Sequence, residues 1–109
     1  MGKILIRKRS KKSGEDPVAE NLRLIAETGK VVIGSREAER VVIAGEAKAL
    51  YIATNIPKET TERFKALAER ASIPVVEYST SVDLGQIIGR PHPVSVIAVL
   101  EPGEGQLPE

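Results

Sequence analysis

Short, nearly uninterrupted apolar runs alternate along this chain with longer segments that are apolar on one face only. The runs are Val31–Ile33, Ala49–Thr54, Val75–Tyr78 and Val94–Leu100. Strands without regular polar alternation are typical of a sheet that is covered on both faces. The alternation therefore predicts a single-domain α/β protein, a three-layer α/β/α sandwich built on a mixed four-stranded sheet.

The segments between these runs have helix signals at their ends. Asp16 and Pro17 fit the N-cap and the first helical position, and Gly29 fits the end of that helix. The other predicted helices run from Ser35 to Ala44, from the Pro57 turn through the stripe Phe64, Leu67, Ala68 and Ala71, and over Leu84, Ile87 and Ile88. Each has an apolar stripe that can cover the sheet.

Length and composition indicate one globular domain. The 109 residues are 41% apolar and 28% charged. The absence of cysteine excludes disulfides, thiol catalysis and thiolate metal ligands. No apolar run approaches the length of a bilayer span, and we expect a cytoplasmic protein. We place the folded domain at residues 15–101 and expect a loose tail at 102–109.

Basic residues are concentrated at the N-terminus. Residues 1–14 have six basic residues and no acidic one, whereas the rest has ten basic and fifteen acidic residues, a balance of −5. The six are Lys3, Arg7, Lys8, Arg9, Lys11 and Lys12. Such a cluster is either a solvated tail or an arm that neutralises phosphates, and its density favours the arm. We therefore expect residues 1–14 to be a disordered extension that contacts nucleic acid.

Two segments have the composition of loops that lead into helices. The first is Thr28–Glu37, and the second runs from Thr80 to Pro91. In both, glycines and hydroxyl residues stand where a backbone turns or approaches another group, and Arg36 and Arg90 add fixed positive charge. The N–H groups and the positive dipole of a helix start favour a bound anion. These two segments are therefore the candidate functional loops.

The residues that catalysis would need are scarce. His92 is the only histidine and lies between two prolines, so neither a histidine triad nor a histidine metal site can be completed. Glu37 and Asp83 could form an acid–base pair, but carboxylates at helix starts more often complement the dipole. The sequence favours a binding protein without a metal or other cofactor. A small enzyme that uses Glu37 and Asp83 is the alternative.

A cluster of basic residues within the acidic body favours structured RNA as the ligand. Its members are Lys30, Arg36, Arg40, Lys48 and Arg90. The only aromatic residues are Tyr51, Phe64 and Tyr78, and Phe64 fits a core position. We therefore expect recognition of a folded RNA backbone rather than stacking on splayed bases.

Several segments also have an order and spacing that occur together in one family. They are Thr28–Gly34, Ala47–Ala53, Thr54–Pro57, Ile73–Val75, Thr80–Gly85 and Gly89–His92, within residues 22–104. The set resembles the L-thirty-e family of large-subunit ribosomal proteins, within the kink-turn-binding L-seven-Ae superfamily. The resemblance implies a non-enzymatic α/β/α protein that grips a kink-turn, an internal loop of ribosomal RNA. It also implies neighbouring ribosomal proteins as partners, no membrane or small-molecule substrate, and a monomer outside the particle.

The resemblance further implies roles for individual residues. Gly34, Ser35, Arg36 and Glu37 would meet bases and backbone at the start of their helix, with Gly34 allowing close approach and Arg40 on the same face as Arg36. Lys30 and Lys48 would hold phosphates, and Asn55 would bond within or beside the RNA site. Arg90 would contact the RNA backbone or brace the second loop. The residues that would flank the kink are Ser79, Thr80, Ser81, Val82, Asp83, Leu84 and Gly85.

Three departures from the family pattern bear on these roles. The superfamily often has Asn where this chain has Arg36, so guanidinium contacts to guanine would replace amide contacts. The second loop, Tyr78–Ser81, is short and polar, without a bulky apolar residue to press on the RNA. The basic extension is longer than the family usually needs. Arg36 and the extension favour a ribosomal protein over the alternative, a kink-turn core protein of a guide-RNA or RNA-processing particle.

Overall fold

The computed structural model of the protein describes residues 17–108. Within them, helices and strands alternate as α1 (Pro17–Thr28), β1 (Lys30–Ile33), α2 (Ser35–Ile43), β2 (Ala49–Ile52), α3 (Lys58–Ala71), β3 (Val75–Glu77), α4 (Ser81–Ile87) and β4 (Val96–Glu101). Every helix and strand that the apolar pattern predicts is present. The expected basic extension and the Asp16 N-cap lie outside the described residues.

The four strands form one mixed sheet in the order β1-β4-β2-β3. Strand β4 is antiparallel to both β1 and β2, whereas β2 and β3 are parallel. Strands β1, β2 and β3 therefore run in the same direction, and their carboxyl ends lie at the same end of the sheet. We call this the loop end, and the opposite end, where β4 finishes, the tail end.

Two apolar clusters cover the two faces of the sheet. One lies under α2 and α3 and includes Phe64, and the other lies under α1 and α4 and includes Leu84. Strand β2 contributes to both clusters, because successive side chains of a strand point to opposite faces. Leu50 belongs to the first cluster and Tyr51 to the second. This arrangement confirms the three-layer α/β/α sandwich and the core position of Phe64.

Tyr51 links the second cluster to α1. Burial raises the pKa of its phenol above the usual value, and a hydrogen bond with Asn21 acts in the opposite direction. The Asn21 side chain also pairs with the backbone of Gln106: Nδ2 donates to the Gln106 carbonyl at 2.7 Å, and Oδ1 accepts the Gln106 N–H at 2.8 Å. A single α1 side chain thus holds both the core phenol and the C-terminal segment.

The segment after β4 packs along α1, which differs from the loose tail that its prolines and glycines predict. Besides the Asn21 pairing, the Glu104 N–H donates to Thr28 Oγ1 at 2.8 Å. The glycines explain the close approach: a Cβ on Gly105 would lie 2.5 Å from Ile25 Cγ1. Here glycine provides space for packing rather than freedom of movement.

Candidate nucleic-acid interface

The loop end of the sheet gathers the two candidate loops. Gly34 follows β1 directly, Thr54 and Asn55 follow β2, and Ser79 comes soon after β3. The Gly34 N–H donates to the Val96 carbonyl at 2.9 Å, and the Thr54 N–H donates to the Ser79 carbonyl at 2.7 Å. The two loops therefore lie at one end of the molecule, with Asn55 between them, just after the end of β2.

The start of α2 is open to a ligand. Gly34 has φ +105° and ψ 151°, a conformation that side-chain-bearing residues rarely adopt. A Cβ built there would have nothing within 4 Å, and no side chain caps the helix start within the described residues. The N–H groups of the first turn and the positive end of the helix dipole are thus available to an anion or a base edge.

Two arginines stand on this helix start. Arg36 is exposed and makes no ion pair within the described part of the chain. Arg40 Nη1 lies 3.6 Å from Glu37 Oε1, with both side chains largely exposed, and such a pair contributes little stability. The guanidinium of Arg36 is therefore free to contact a ligand at the loop end.

The start of α4 is closed by protein groups. Thr80 Oγ1 accepts the Asp83 N–H at 3.2 Å, and Asn55 Oδ1 accepts the Ser81 N–H at 2.9 Å. Asn55 Nδ2 also donates to Ser81 Oγ at 3.3 Å, and Ser79 Oγ donates to Asp83 Oδ2 at 2.5 Å. The start of α4 is therefore less open than the sequence predicts for the second loop, because side chains already accept the N–H groups of Ser81 and Asp83.

These bonds fix a strained turn before α4. Ser79 has φ +58°, in the left-handed region. Its carbonyl accepts both the N–H of Thr54 and, at 2.8 Å, the Thr54 hydroxyl. Val82, in the first turn of α4, is 49% exposed and offers an apolar contact beside the loop. The sequence reasoning missed Thr54, although its place between the end of β2 and Asn55 was a signal.

Lys30 and Lys48 lie away from this interface. Lys30 begins β1 and pairs with Glu101, the last residue of β4, while the Lys48 N–H donates to the Val99 carbonyl just before β2 begins. Both residues are therefore at the tail end. A four-residue strand spans about 13 Å, so neither lysine backbone is near Gly34.

Three residues that were predicted to flank the kink or brace its loop contact other parts of the protein instead. Leu84 is fully buried in the cluster under α1 and α4, and a Cβ on Gly85 would lie 2.3 Å from the His92 carbonyl oxygen. The Arg90 N–H donates to the Gly85 carbonyl at 2.7 Å, so the Arg90 backbone lies at the end of α4 opposite Ser81. Leu84 and Gly85 pack within the protein, and Arg90 closes their helix.

The carboxylates considered for acid–base chemistry are not paired with each other. Glu37 faces Arg40 on α2, and Asp83 accepts the Ser79 hydroxyl on α4. Across residues 17–108, no group of three or more potential ligands could hold a metal ion. Over the same residues, no helix combines the length and apolar character that crossing a membrane requires.

The sequence reasoning also missed the start of α3. A groove of about 340 Å³ lies between α2 and α3, and its lining is Ser35, Arg36, Glu39, Thr60, Arg63 and Phe64. Arg63 Nη2 is 2.5 Å from Glu39 Oε2. The signal was available in the spacing, because Thr60 and Arg63 are three residues apart on one helix face just after the loop-end turn at Pro57.

Comparisons with known proteins agree with this architecture. The family model "Ribosomal protein L7Ae/L30e/S12e/Gadd45 family" matches residues 16–107. The chain is 41% identical over 91 residues to "Large ribosomal subunit protein eL30" of Methanopyrus kandleri, covering 83% of this chain and 84% of that one. It is 38% identical over 93 residues to the proteins of that name from Methanocaldococcus jannaschii and Aeropyrum pernix, covering 84% of this chain and 84% and 93% of theirs.

A solved structure supports the fold independently. A chain titled "The structure of a protein with unknown function from Bacillus halodurans C" superposes with a TM-score of 0.70 over 75% of this chain and 82% of that one, at 22% identity. At that identity, the likeness concerns the fold alone. The family match and the curated relatives carry the assignment: the chain belongs to the ribosomal protein L7Ae/L30e/S12e/Gadd45 family.

Proposed function

We propose that this chain is a structural protein of the large ribosomal subunit that binds a kink-turn of ribosomal RNA at the loop end of its sheet. Family membership makes it a structural protein rather than an enzyme, and the curated relatives are named as large-subunit proteins. Its partners are then ribosomal RNA and neighbouring ribosomal proteins in the cytoplasmic ribosome. In this proposal the protein is a monomer outside the particle.

The observation that carries the RNA site is the open start of α2. Gly34 leaves space above the helix, and Arg36 lies beside the first-turn N–H groups. Among residues 17–108, no side chain caps these N–H groups and Arg36 makes no ion pair. N–H donors can bond phosphate oxygens or base edges, and a guanidinium can bond two acceptors of guanine at once. This combination suits close contact with a folded nucleic acid.

The start of α4 supplies the second wall of the proposed site. Thr54 and Asn55 fix the turn at Ser79 and the first residues of α4, so the wall is formed before RNA binds. A wall that does not rearrange reads the shape of the RNA rather than its sequence, with base contacts from Arg36 as a second contribution. Val82 adds an apolar contact, which the sequence pattern of Tyr78–Ser81 lacks.

The test is a binding comparison between two RNAs. Affinity for a kink-turn RNA and for a plain duplex of equal length is measured at two salt concentrations. We expect a strong preference for the kinked RNA that persists at the higher salt concentration, because shape contacts are less salt-dependent than phosphate neutralisation. Equal and salt-sensitive binding to both RNAs would contradict the proposal.

The basic extension has a separate test. Deleting residues 1–12 removes Lys3, Arg7, Lys8, Arg9, Lys11 and Lys12. If the extension neutralises phosphates, the deletion flattens the dependence of affinity on salt, because fewer counterions are released, and leaves the preference for the kinked RNA intact. Loss of that preference would mean that the extension, rather than the loop end, selects the RNA.

A further inference from the structure

We propose that Arg63 contacts an RNA phosphate and extends the RNA interface from the loop end into the groove between α2 and α3. The inference rests on the proposed function, because the RNA must first lie across the loop end. It assigns a role to a residue in α3 that was not among the predicted site residues.

The groove is continuous with the proposed interface. Helices α2 and α3 follow β1 and β2, so both begin at the loop end. Ser35 and Arg36, from the first turn of α2, form part of one wall, and Thr60 and Arg63 form part of the other. The buried Phe64 ring lies between the two helices. A strand of RNA that contacts Arg36 therefore lies at the mouth of this groove.

The position of Arg63 brings its charge towards that mouth. Its Cα lies about 7.5 Å along the helix axis from Lys58, the first residue of α3. Helical side chains lean towards the N-terminus of their helix, so the long arginine side chain extends back towards the loop end. Arg70, in the last turn of the same helix, is about 10 Å farther from the loop end.

Glu39 holds the Arg63 guanidinium without burying it. The Arg63 side chain is 63% exposed, whereas that of Glu39 is 26% exposed. Their 2.5 Å contact uses one of the two terminal nitrogens of a group with five N–H donors. Among residues 17–108, the Arg63 guanidinium makes no other hydrogen bond or ion pair, so its remaining donors can bind an anion. With Arg36 and Arg63 against Glu39, the charged lining of the groove has a formal balance of +1, which suits phosphate.

The experiment compares Arg63→Gln with Arg70→Gln as a control of equal charge. Affinity for the kink-turn RNA is measured across a salt series, and unfolding by urea is measured for both variants. We expect Arg63→Gln to weaken binding about fivefold or more and to lower the salt slope by about one, the effect of losing one phosphate contact. Arg70→Gln should bind within about twofold of the unaltered protein, with an unchanged slope.

Arg63→Lys tests whether the positive charge or the planar guanidinium of Arg63 accounts for the binding loss in Arg63→Gln. It keeps the positive charge but loses the planar fork, so its salt slope should match that of the unaltered protein while its affinity falls less than for Arg63→Gln. A matching slope supports a phosphate contact by Arg63. If the unaltered protein prefers the kinked RNA but Arg63→Gln and Arg70→Gln change affinity and salt slope equally, the inference about Arg63 is wrong and the proposed function stands. If the unaltered protein shows no such preference, the proposed function and this inference both fail.

Discussion

The starts of α2 and α4 lie at the same end of the sheet, yet their backbone N–H groups differ in availability. At α2, no side chain among residues 17–108 caps the exposed first turn that follows Gly34, and Arg36 lies beside it. At α4, Thr80 and Asn55 satisfy the N–H groups of Asp83 and Ser81. One helix start is thus open to a ligand, and the other is held by side chains of the protein. Substitutions at the start of α2 should mainly change RNA affinity, whereas substitutions at the start of α4 should mainly change stability.

The largest effect is expected for Gly34→Ala. Its backbone conformation is nearly restricted to glycine, so the substitution should lower the free energy of unfolding by about 1 to 3 kcal/mol and also weaken RNA binding. Gly45→Ala is the control, because Gly45 also has positive φ and open space but lies just beyond the other end of α2. It should cost about 1 to 2 kcal/mol of stability without changing RNA affinity. Urea unfolding and RNA titration measure both, and an equal loss of affinity in the two variants would contradict the comparison.

Arg36→Ala should separate binding from stability. Loss of a bidentate base contact weakens binding by about 1 to 3 kcal/mol. Arg36 is exposed and has no ion pair among residues 17–108, so its removal should change the free energy of unfolding by less than about 0.5 kcal/mol. Arg23→Ala, in the exposed face of α1, removes the same charge elsewhere. Titration with the kink-turn RNA compares the two variants. If Arg23→Ala weakens binding as much as Arg36→Ala, the effect is one of net charge, and Arg36 is not part of the site.

Thr80→Ala should show the opposite pattern at α4. It removes the side chain that accepts the Asp83 N–H, and loss of such a cap costs about 1 kcal/mol of unfolding free energy. RNA affinity should fall less than for Arg36→Ala. Thr61→Ala is a suitable control, since that hydroxyl reaches the Pro57 carbonyl only at 3.5 Å. If thermal or urea unfolding gives the same loss of stability for Thr80→Ala and Thr61→Ala, the Thr80 cap does not contribute measurably to stability.

Asn55→Ala tests the link between β2 and α4. Both of its bonds to Ser81 are lost, which should cost about 1 kcal/mol of stability and reduce RNA affinity severalfold by loosening the second wall. Asn21→Ala breaks a comparable pair of bonds, to the backbone of Gln106, and also the hydrogen bond with the Tyr51 phenol. It should cost at least as much stability and leave RNA binding unchanged. Unchanged RNA affinity in Asn55→Ala would show that the wall keeps its shape without this bridge.

The smallest expected effect is a pH dependence from the cluster that supports α4. Tyr51 lies in that cluster with Leu84, and its pKa is raised above 10.0 by burial. The unfolded chain therefore loses the phenol proton first as pH rises, which favours unfolding. Relative to Tyr51→Phe, the unaltered protein should keep constant stability below pH 10 and lose stability as pH rises above it. Urea unfolding at several pH values measures the difference, and parallel curves would contradict a raised pKa of the Tyr51 phenol.

The fold was predictable because its strands are covered on both faces. Strand β2 is buried along its whole length, so burial imposes an apolar run that is visible in the sequence. The apolar stripe of α3 that includes Phe64 is likewise visible in the sequence, because α3 packs one face against a single apolar cluster. These signals are local, and each depends on residues within a single element.

The site was less predictable because its contacts join distant parts of the chain. Thr80 caps α4 locally, but the acceptor for the Ser81 N–H is Asn55, 26 residues away, and the tail bonds Asn21 across 85 residues. Lys30 is close to Gly34 in sequence, but the strand between them carries the two residues to opposite ends of the sheet. Neighbouring positions in sequence are not neighbours in space when an extended strand separates them.

The central place of β4 has a consequence for how this molecule is made. Strand β4 pairs with both β1 and β2, although it follows them by more than forty residues in the chain. During synthesis, β1 has no sheet partner until residues 96–101 have left the ribosome, and such non-local pairing slows folding. Gly34 and Ala53 then take their positions late, because their N–H groups bond to carbonyls at or just before the start of β4. A nascent chain that lacks this strand should therefore not bind RNA at the loop end, which delays assembly until residues 96–101 have been synthesised.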